Sequence, residues 1–131
     1  MALLNLFRTE SSPQLDYSME QLLDSLEDVV LTVTQGDCLQ YVNRCWETLT
    51  GVSKKDSNGR PLTAFLHPED IHNWRMAVQE VTATRQSQMI WIRISGPDDD
   101  VRWCEMRLQS MNPGTLYPIS ATLCDITPQV R

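Results

Sequence analysis

The stretch Asp37-Cys38-Leu39-Gln40-Tyr41-Val42-Asn43-Arg44-Cys45-Trp46-Glu47-Thr48-Leu49-Thr50-Gly51 decides the fold, together with Gly59-Arg60-Pro61-Leu62 and Leu66-His67-Pro68-Glu69-Asp70 after it. Its alternation predicts a short strand over 38–42 with Leu39 and Tyr41 on one face. Asn43 is a good N-cap for a helix that Gly51 can close. Ser53 starts another short turn and Gly59 breaks it. Pro68 then opens a helix with Glu69 and Asp70 in its first turn, where the helix dipole favours negative charge. Short helical pieces joined without slack form a lid, and a lid needs a flat surface beneath it.

The rest of the chain supplies that surface. Val29 to Thr34 is a β-rich run joined to 38–42 by the turn Gln35-Gly36-Asp37. The helix opened by Pro68 runs to Ala83, with Ile71, Trp74, Val78 and Val81 facing the sheet. Gln88 to Ser95 alternates Ile90, Ile92 and Ile94 with Met89, Trp91 and Arg93. After the acidic turn Gly96 to Asp100, the strand Val101 to Met111 places Cys104, Met106 and Leu108 opposite Trp103, Glu105 and Arg107. Asn112-Pro113-Gly114 turns again. Thr115 to Thr127 is the last strand, with Ile119, Ala121 and Leu123 on one face. These runs predict an α+β fold: a five-stranded antiparallel sheet with short helices on one face. Upstream, Ser18 and Gln21 fit a capping box for an N-terminal capping helix bearing Met19, Leu22, Leu23 and Leu26. Residues 1–17 carry no sustained pattern and read as an N-terminal arm, with a break at Ser11-Ser12-Pro13.

Tyr41-Val42-Asn43, Thr50-Gly51, Gly59-Arg60-Pro61-Leu62 and Leu66 to Asp70 resemble, in order and spacing, the first half of a PAS sensor domain. Val101-Arg102-Trp103 and the terminal Asp125-Ile126-Thr127 resemble its second half, so the likeness covers residues 18–127. It implies the strand order 2-1-5-4-3. Where the family usually has Asp-x-x-Gly, this chain has Thr34 and Asp37, and Gly36 can still take the positive φ of a hairpin turn.

Composition narrows the function. The chain has 131 residues, 41% of them hydrophobic and 21% charged, which suits one domain with one core. A net charge of −6 with 11 basic residues argues against a phosphate-tracking surface, hence against nucleic acid as a partner. No apolar run is long enough for a membrane span, and residues 1–7 lack the charged start of a signal peptide. Cys38, Cys45, Cys104 and Cys124 show no metal or redox spacing and read as small apolar residues in a reduced cytoplasm. No nucleophile–base pair, P-loop or paired carboxylates stand out, and Asp98-Asp99-Asp100 reads as a solvated turn, so the chain reads as no enzyme.

In PAS domains a ligand or cofactor sits between the sheet and the lid. The resemblance therefore implies a pocket walled by Leu31, Val33, Leu39, Tyr41, Cys45, Leu62, Trp74, Val78, Ile90, Ile92, Ile94, Cys104, Met106, Leu108, Ala121 and Leu123. Only the Tyr41 hydroxyl and the thiols of Cys45 and Cys104 would be polar there, a composition that serves a filled core as well as a pocket. A flavin photosensor of this family needs a cysteine where Leu62 stands and amides where Cys104 and Leu123 stand, so no flavin adduct is expected. A haem ligand would be a histidine well inside the long helix. His67 and His72 come too early; they read as a capping and a solvated residue, and neither haem nor another metal is expected.

Trp91 and Trp103 fall on one outer face with Arg93, a large amphipathic patch in which Arg93 stacks on Trp103. Two readings stand: the N-terminal helix, through Leu22, Leu23 and Leu26, covers the patch, or helix and patch together form a symmetric homodimer interface. The family passes signals through the residues matched by Asp125, Ile126 and Thr127 into a coiled-coil linker. Residues 128–131 read as that linker's start, so the chain reads as a piece of a longer bacterial signalling protein or an unusually bare module. The resemblance thus implies a cytoplasmic sensor of the two-component type, controlling a C-terminal effector domain such as a histidine kinase or a cyclic-dinucleotide enzyme (diguanylate cyclase or phosphodiesterase). Its partners would be a small-molecule ligand, a second protomer, or both. The alternative is a ligand-free dimerisation module.

Overall fold

Five strands pair antiparallel in the order β2-β1-β5-β4-β3. They are β1 (Val29–Thr34), β2 (Cys38–Val42), β3 (Gln88–Ser95), β4 (Val101–Ser110) and β5 (Ile119–Asp125). The structure is a computed structural model that describes residues 13–112 and 114–130. Most of the expected N-terminal arm lies outside those residues. Helix α1 spans Pro13–Asp24, so Ser18 lies within the helix and does not cap it; proline suits a first turn because its missing N–H has no partner to lose.

The lid is built as the glycines and caps dictate. Helix α2 (Arg44–Thr50) ends at Gly51, which takes φ 76° and returns its N–H to the Glu47 carbonyl. Ser53 caps α3 (Lys54–Ser57) by accepting the Asp56 N–H at 3.0 Å. A 3-10 turn, Pro68–Asp70, leads into α4 (Ile71–Thr84), and His67 caps that turn by accepting the Glu69 N–H on Nδ1 at 3.1 Å. A further single turn, α5 (Thr127–Val130), leaves β5.

Asn43 does not cap α2. It has the extended backbone of an N-cap, but its side chain makes no cap bond. Fully buried, it instead accepts the Val30 N–H at 3.0 Å and donates to the carbonyls of Leu23 and Asp28 at 2.9 and 3.0 Å. One amide thus ties residues 23–30 to the start of α2.

A bulge corrects the reading of β2. Val33 pairs with Leu39 but Thr32 pairs with Tyr41, so Gln40 is the extra residue. An extra residue reverses the alternation beyond it. Leu39 and Val42 therefore face the core, while Tyr41 faces the other side beside Thr32. The last strand is also shorter than expected, beginning at Ile119 and not at Thr115.

Candidate functional site

The inner face of the sheet forms one core with the lid. Leu31, Val33, Leu39, Leu62, Trp74, Val78, Ile92, Ile94, Cys104, Met106, Leu108, Ala121 and Leu123 are all buried within it, and Cys45 and Ile90 pack half-buried at its margin. Of the expected pocket wall only Tyr41 turns away. The sequence reading missed Trp46 and Phe65, whose rings meet edge-on at 4.9 Å under the lid. Trp46 donates its indole N–H to the Ser57 hydroxyl at 2.8 Å, which ties α2 to α3. The spacing of Trp46, Leu49 and Thr50 on α2 carried the signal for that inward face. Trp74 is fully buried and its indole N–H meets no acceptor among the described residues.

Two cavities lie at the rims of this core. One, of about 400 Å³, opens between α1, β2 and α3 over Leu23, Leu39, Tyr41 and Val42. Lys54 lines it as well, holding Asp24 at 2.8 Å and Glu20 at 2.9 Å. Burial pushes the Tyr41 hydroxyl up to about 12. The second cavity, of about 380 Å³, lies beneath α2 beside the end of β5. Its floor is Val29, Leu49 and Leu123, and its rim holds Cys45, Arg102 and Asp125. The Cys45 thiol donates to the Glu27 carbonyl at 2.9 Å, and burial raises its pKa. Burial also takes the Cys104 thiol to about 12, so neither thiol is primed as a nucleophile.

That second cavity adjoins the end of β5. Arg102 holds Asp125 Oδ2 through Nη2 at 2.6 Å and Nε at 2.9 Å, and Asp100 through Nη1 at 3.1 Å. Burial alone would raise the Asp125 pKa, but its bonds from Thr127 and Arg102 bring it below the ordinary carboxylate value. Asp125 Oδ1 accepts the Thr127 N–H at 2.9 Å. Trp103 donates its N–H to the Thr127 hydroxyl at 2.9 Å and accepts the Ile126 N–H at 2.8 Å. Asp125, Ile126 and Thr127 are thus fastened to β4 as well as to β5.

On the outer face Arg93 lies 4.9 Å over the Trp103 ring, the cation–π pair expected from the pattern. The same guanidinium grips Asp70, which the sequence reading assigned only to the helix dipole. Asp70 Oδ2 accepts from the Arg93 backbone N–H at 2.7 Å and from Nε at 3.0 Å, and Oδ1 from Nη2 at 2.9 Å. Burial opposes ionisation there, but the bonds from Arg93 win and lower the Asp70 pKa. The end of α1 over residues 19–24 lies beside β2 and α3, at the sheet edge opposite β3, so these residues do not cover Trp91, which is 52% exposed. Leu23 is buried within the chain, Leu26 is half-buried and Leu22 is exposed. Helix and tryptophans therefore do not form one continuous patch.

His67 is the cap described above and His72 is exposed on α4. Among the described residues no cluster of His, Cys, Asp and Glu is arranged to hold a metal ion, and no helix is long and apolar enough to cross a membrane.

Compared with known families, the chain matches the PAS fold over residues 17–112. No curated protein matches it. Among solved structures it is similar to a PAS domain from Colwellia psychrerythraea, at 19% identity and TM-score 0.75, covering 86% of this chain and 97% of that one. It is similar to the LOV domain of a blue-light activated histidine kinase from Erythrobacter litoralis EL346, at 18% identity and TM-score 0.65, covering 78% and 98%. It is also similar to the PAS domain of the RpfR quorum-sensing receptor from Cronobacter turicensis, in complex with C12:0, at 19% identity and TM-score 0.65, covering 79% and 97%. At these identities the likeness to each structure is one of fold.

Proposed function

The chain belongs to the PAS-fold family, and from that premise we propose that it is a regulatory module whose sheet passes a change of state to whatever follows Thr127. A PAS domain is a sensor module and not a catalyst. The observation that carries the relay is the double fastening at the end of β5: Trp103 binds Ile126 and Thr127 through its backbone, and Arg102 binds Asp125. A shift of β4 against β5 breaks or makes those bonds, which biases the position of α5. The output is an effector such as a histidine kinase or a cyclic-dinucleotide enzyme in a bacterial cytoplasm. That choice is supported by the fold shared with the LOV domain of the Erythrobacter kinase.

The input is a small molecule, a second protomer, or both. A ligand reading is favoured by the cavity under α2, whose rim includes the Arg102 and Asp125 of that fastening. The Cronobacter PAS domain of the same fold is in complex with C12:0. An interaction reading is favoured by the filled inner face and by the exposed outer side of β3.

The relay is tested by Ile92→Val, a loss of one methylene at the inner face of β3, read by amide hydrogen exchange. The expected result is faster exchange at Ile126 and Thr127 as well as in β3. Acceleration confined to β3 and its neighbours would reject the relay. Native mass spectrometry of the purified chain separates the inputs: retained mass of a few hundred daltons, on the order of a pocket-sized ligand, supports the ligand reading, and its absence supports the interaction reading.

A further inference from the structure

Much of each edge of the sheet is closed by the protein's own backbone. Along β2, Leu39 bonds to Arg60 at 2.8 Å and to Gly59 at 2.7 Å, and Leu62 bonds to Asp37 at 2.8 Å. Along β3, the end nearer the acidic turn is closed likewise. Ser95 donates to Phe65 at 3.0 Å, and Arg93 accepts from His67 at 2.9 Å while donating to the Asp70 carboxylate. Backbone groups alternate in direction along an antiparallel edge. Since Arg93 and Ser95 point outward, so do Trp91 and Met89. Among the described residues nothing meets their outward N–H and C=O groups. Their side chains are also among the most exposed large apolar ones, at 52% for Trp91 and 49% for Met89. An open edge beside exposed apolar side chains is what soluble proteins ordinarily avoid.

We infer that this open segment of β3 is an interface that takes β3 of a second copy of the chain, antiparallel about a two-fold axis at Ile90. The register follows from which groups are open. An axis at Ile90 sets Met89 of each copy against the other's Trp91, and so satisfies every outward group of both residues. An axis at Trp91 would set Met89 against Arg93, whose outward groups are already taken by His67 and Asp70. The strand begins at Gln88, after Arg85 turns the chain out of α4 at φ 58°, so the Asp70 clamp lies beyond the paired stretch.

Side chains and charges agree with that axis. Each Trp91 ring lies across from a Met89 thioether, a favourable contact on one sheet face. The next residues inward along each row are Glu105, paired with Trp91, and Arg107, paired with Met89. With the axis at Ile90 every row runs from an arginine to a glutamate, whereas an axis at Trp91 would end its row in two glutamates. The segment is short against the roughly 1,200 Å² of a stable interface, so the pairing is concentration-dependent. It rests on the proposed reading only in taking a second copy as partner, and it stands or falls independently of the relay through Thr127.

The test is light scattering and amide exchange on the full chain from about 10 μM to about 1 mM, the range in which a small interface associates. The expected result is a mass that doubles and exchange at Met89 and Trp91 that slows roughly tenfold or more, as open amides become bonded. Trp91→Lys, a charge placed on an outer and already exposed position, should abolish both changes while leaving the circular dichroism spectrum intact. A monomer across the whole range overturns the inference. So does a dimer whose Met89 and Trp91 amides exchange at the monomer's rate, or one that survives Trp91→Lys; either would mean association through another surface.

Discussion

The side-chain amide of Asn43 donates to the carbonyl of Leu23 at 2.9 Å, across twenty residues of chain. The same amide donates to Asp28 and accepts from Val30. It therefore fixes the end of α1, the connection into β1, and the start of α2 relative to one another. With Lys54 bridging to Asp24, this makes α1 part of the domain and not a separate arm.

Replacing Asn43 with Ala should destabilise the protein by about 2–4 kcal/mol, since it strands a buried N–H and two carbonyls. Chemical denaturation reads the loss. Proteolysis should also cut between α1 and β1 first, because the bonds to Leu23 and Asp28 are gone. A change under about 0.5 kcal/mol, the size of an ordinary surface effect, would show that the amide is not the clamp.

Asp70→Asn keeps the volume but sets an amide N–H against the donors of Arg93, for a loss of about 2–3 kcal/mol. The pH dependence follows from the lowered pKa of Asp70. Its contribution is complete above the ordinary carboxylate value near 4 and is lost as pH falls through its own lower value. Denaturation midpoints measured from neutral pH downward should fall less steeply for Asp70→Asn than for the parent. Parallel curves would contradict the clamp.

Alkali should act through Cys104. Burial first, and Asp125 second, carry its thiol from 9.0 to about 12. A raised thiol pKa means that the folded state withholds ionisation the unfolded chain permits. Stability is therefore complete below pH 9 and declines as pH rises from there toward 12. The slope is about 1.4 kcal/mol per pH unit for one proton. Cys104→Ala should make the curve shallower between pH 9 and 10 without levelling it, because burial also raises the Cys45 and Cys124 thiols; Tyr41 joins in from its ordinary 10.0. An unchanged slope would remove Cys104 as the cause.

Gly51→Ala and Gly59→Ala form a matched pair. Both glycines hold positive φ, but a Cβ at Gly51 would meet Pro97 Cγ at 3.1 Å, whereas at Gly59 nothing lies within 4 Å. Gly59→Ala should cost about 1 kcal/mol for the backbone alone, and Gly51→Ala about 2 or more. Equal losses in thermal denaturation would show that the lid is free to move away from the β3–β4 turn.

Thr127→Val removes the hydroxyl that accepts the Trp103 N–H and should cost about 1 kcal/mol. Exchange at Trp103, Ile126 and Thr127 should rise well beyond what that loss produces across the whole domain. A uniform rise would make Thr127 an ordinary packing residue.

Much of this was legible from local chemistry. The glycine at Gly51, the cap at Ser53, the proline at Pro68 and the alternation of Ile90, Ile92 and Ile94 each act over a few residues, so each could be read where it stands. Tyr41 could not. A bulge at Gln40 depends on how β2 registers on β1, and nothing in Leu39-Gln40-Tyr41 announces it. The reading of Asn43 failed for a related reason. A buried amide can cap its own helix or bond to distant backbone, and the choice depends on which segments fold against it.

The sequence by itself determined the layered α+β plan, the inner-face residues of β3, β4 and β5, and the stacking of Arg93 on Trp103. All of these follow from period-two alternation and from charge beside an aromatic face. Only the tertiary structure decided that Tyr41 turns outward, that Asp70 grips Arg93, that Leu23 is buried, and that the end of α1 packs beside β2. The reason is physical: alternation assigns a side chain to a face, but the segment that meets it there is chosen by packing between parts of the chain that no local pattern connects.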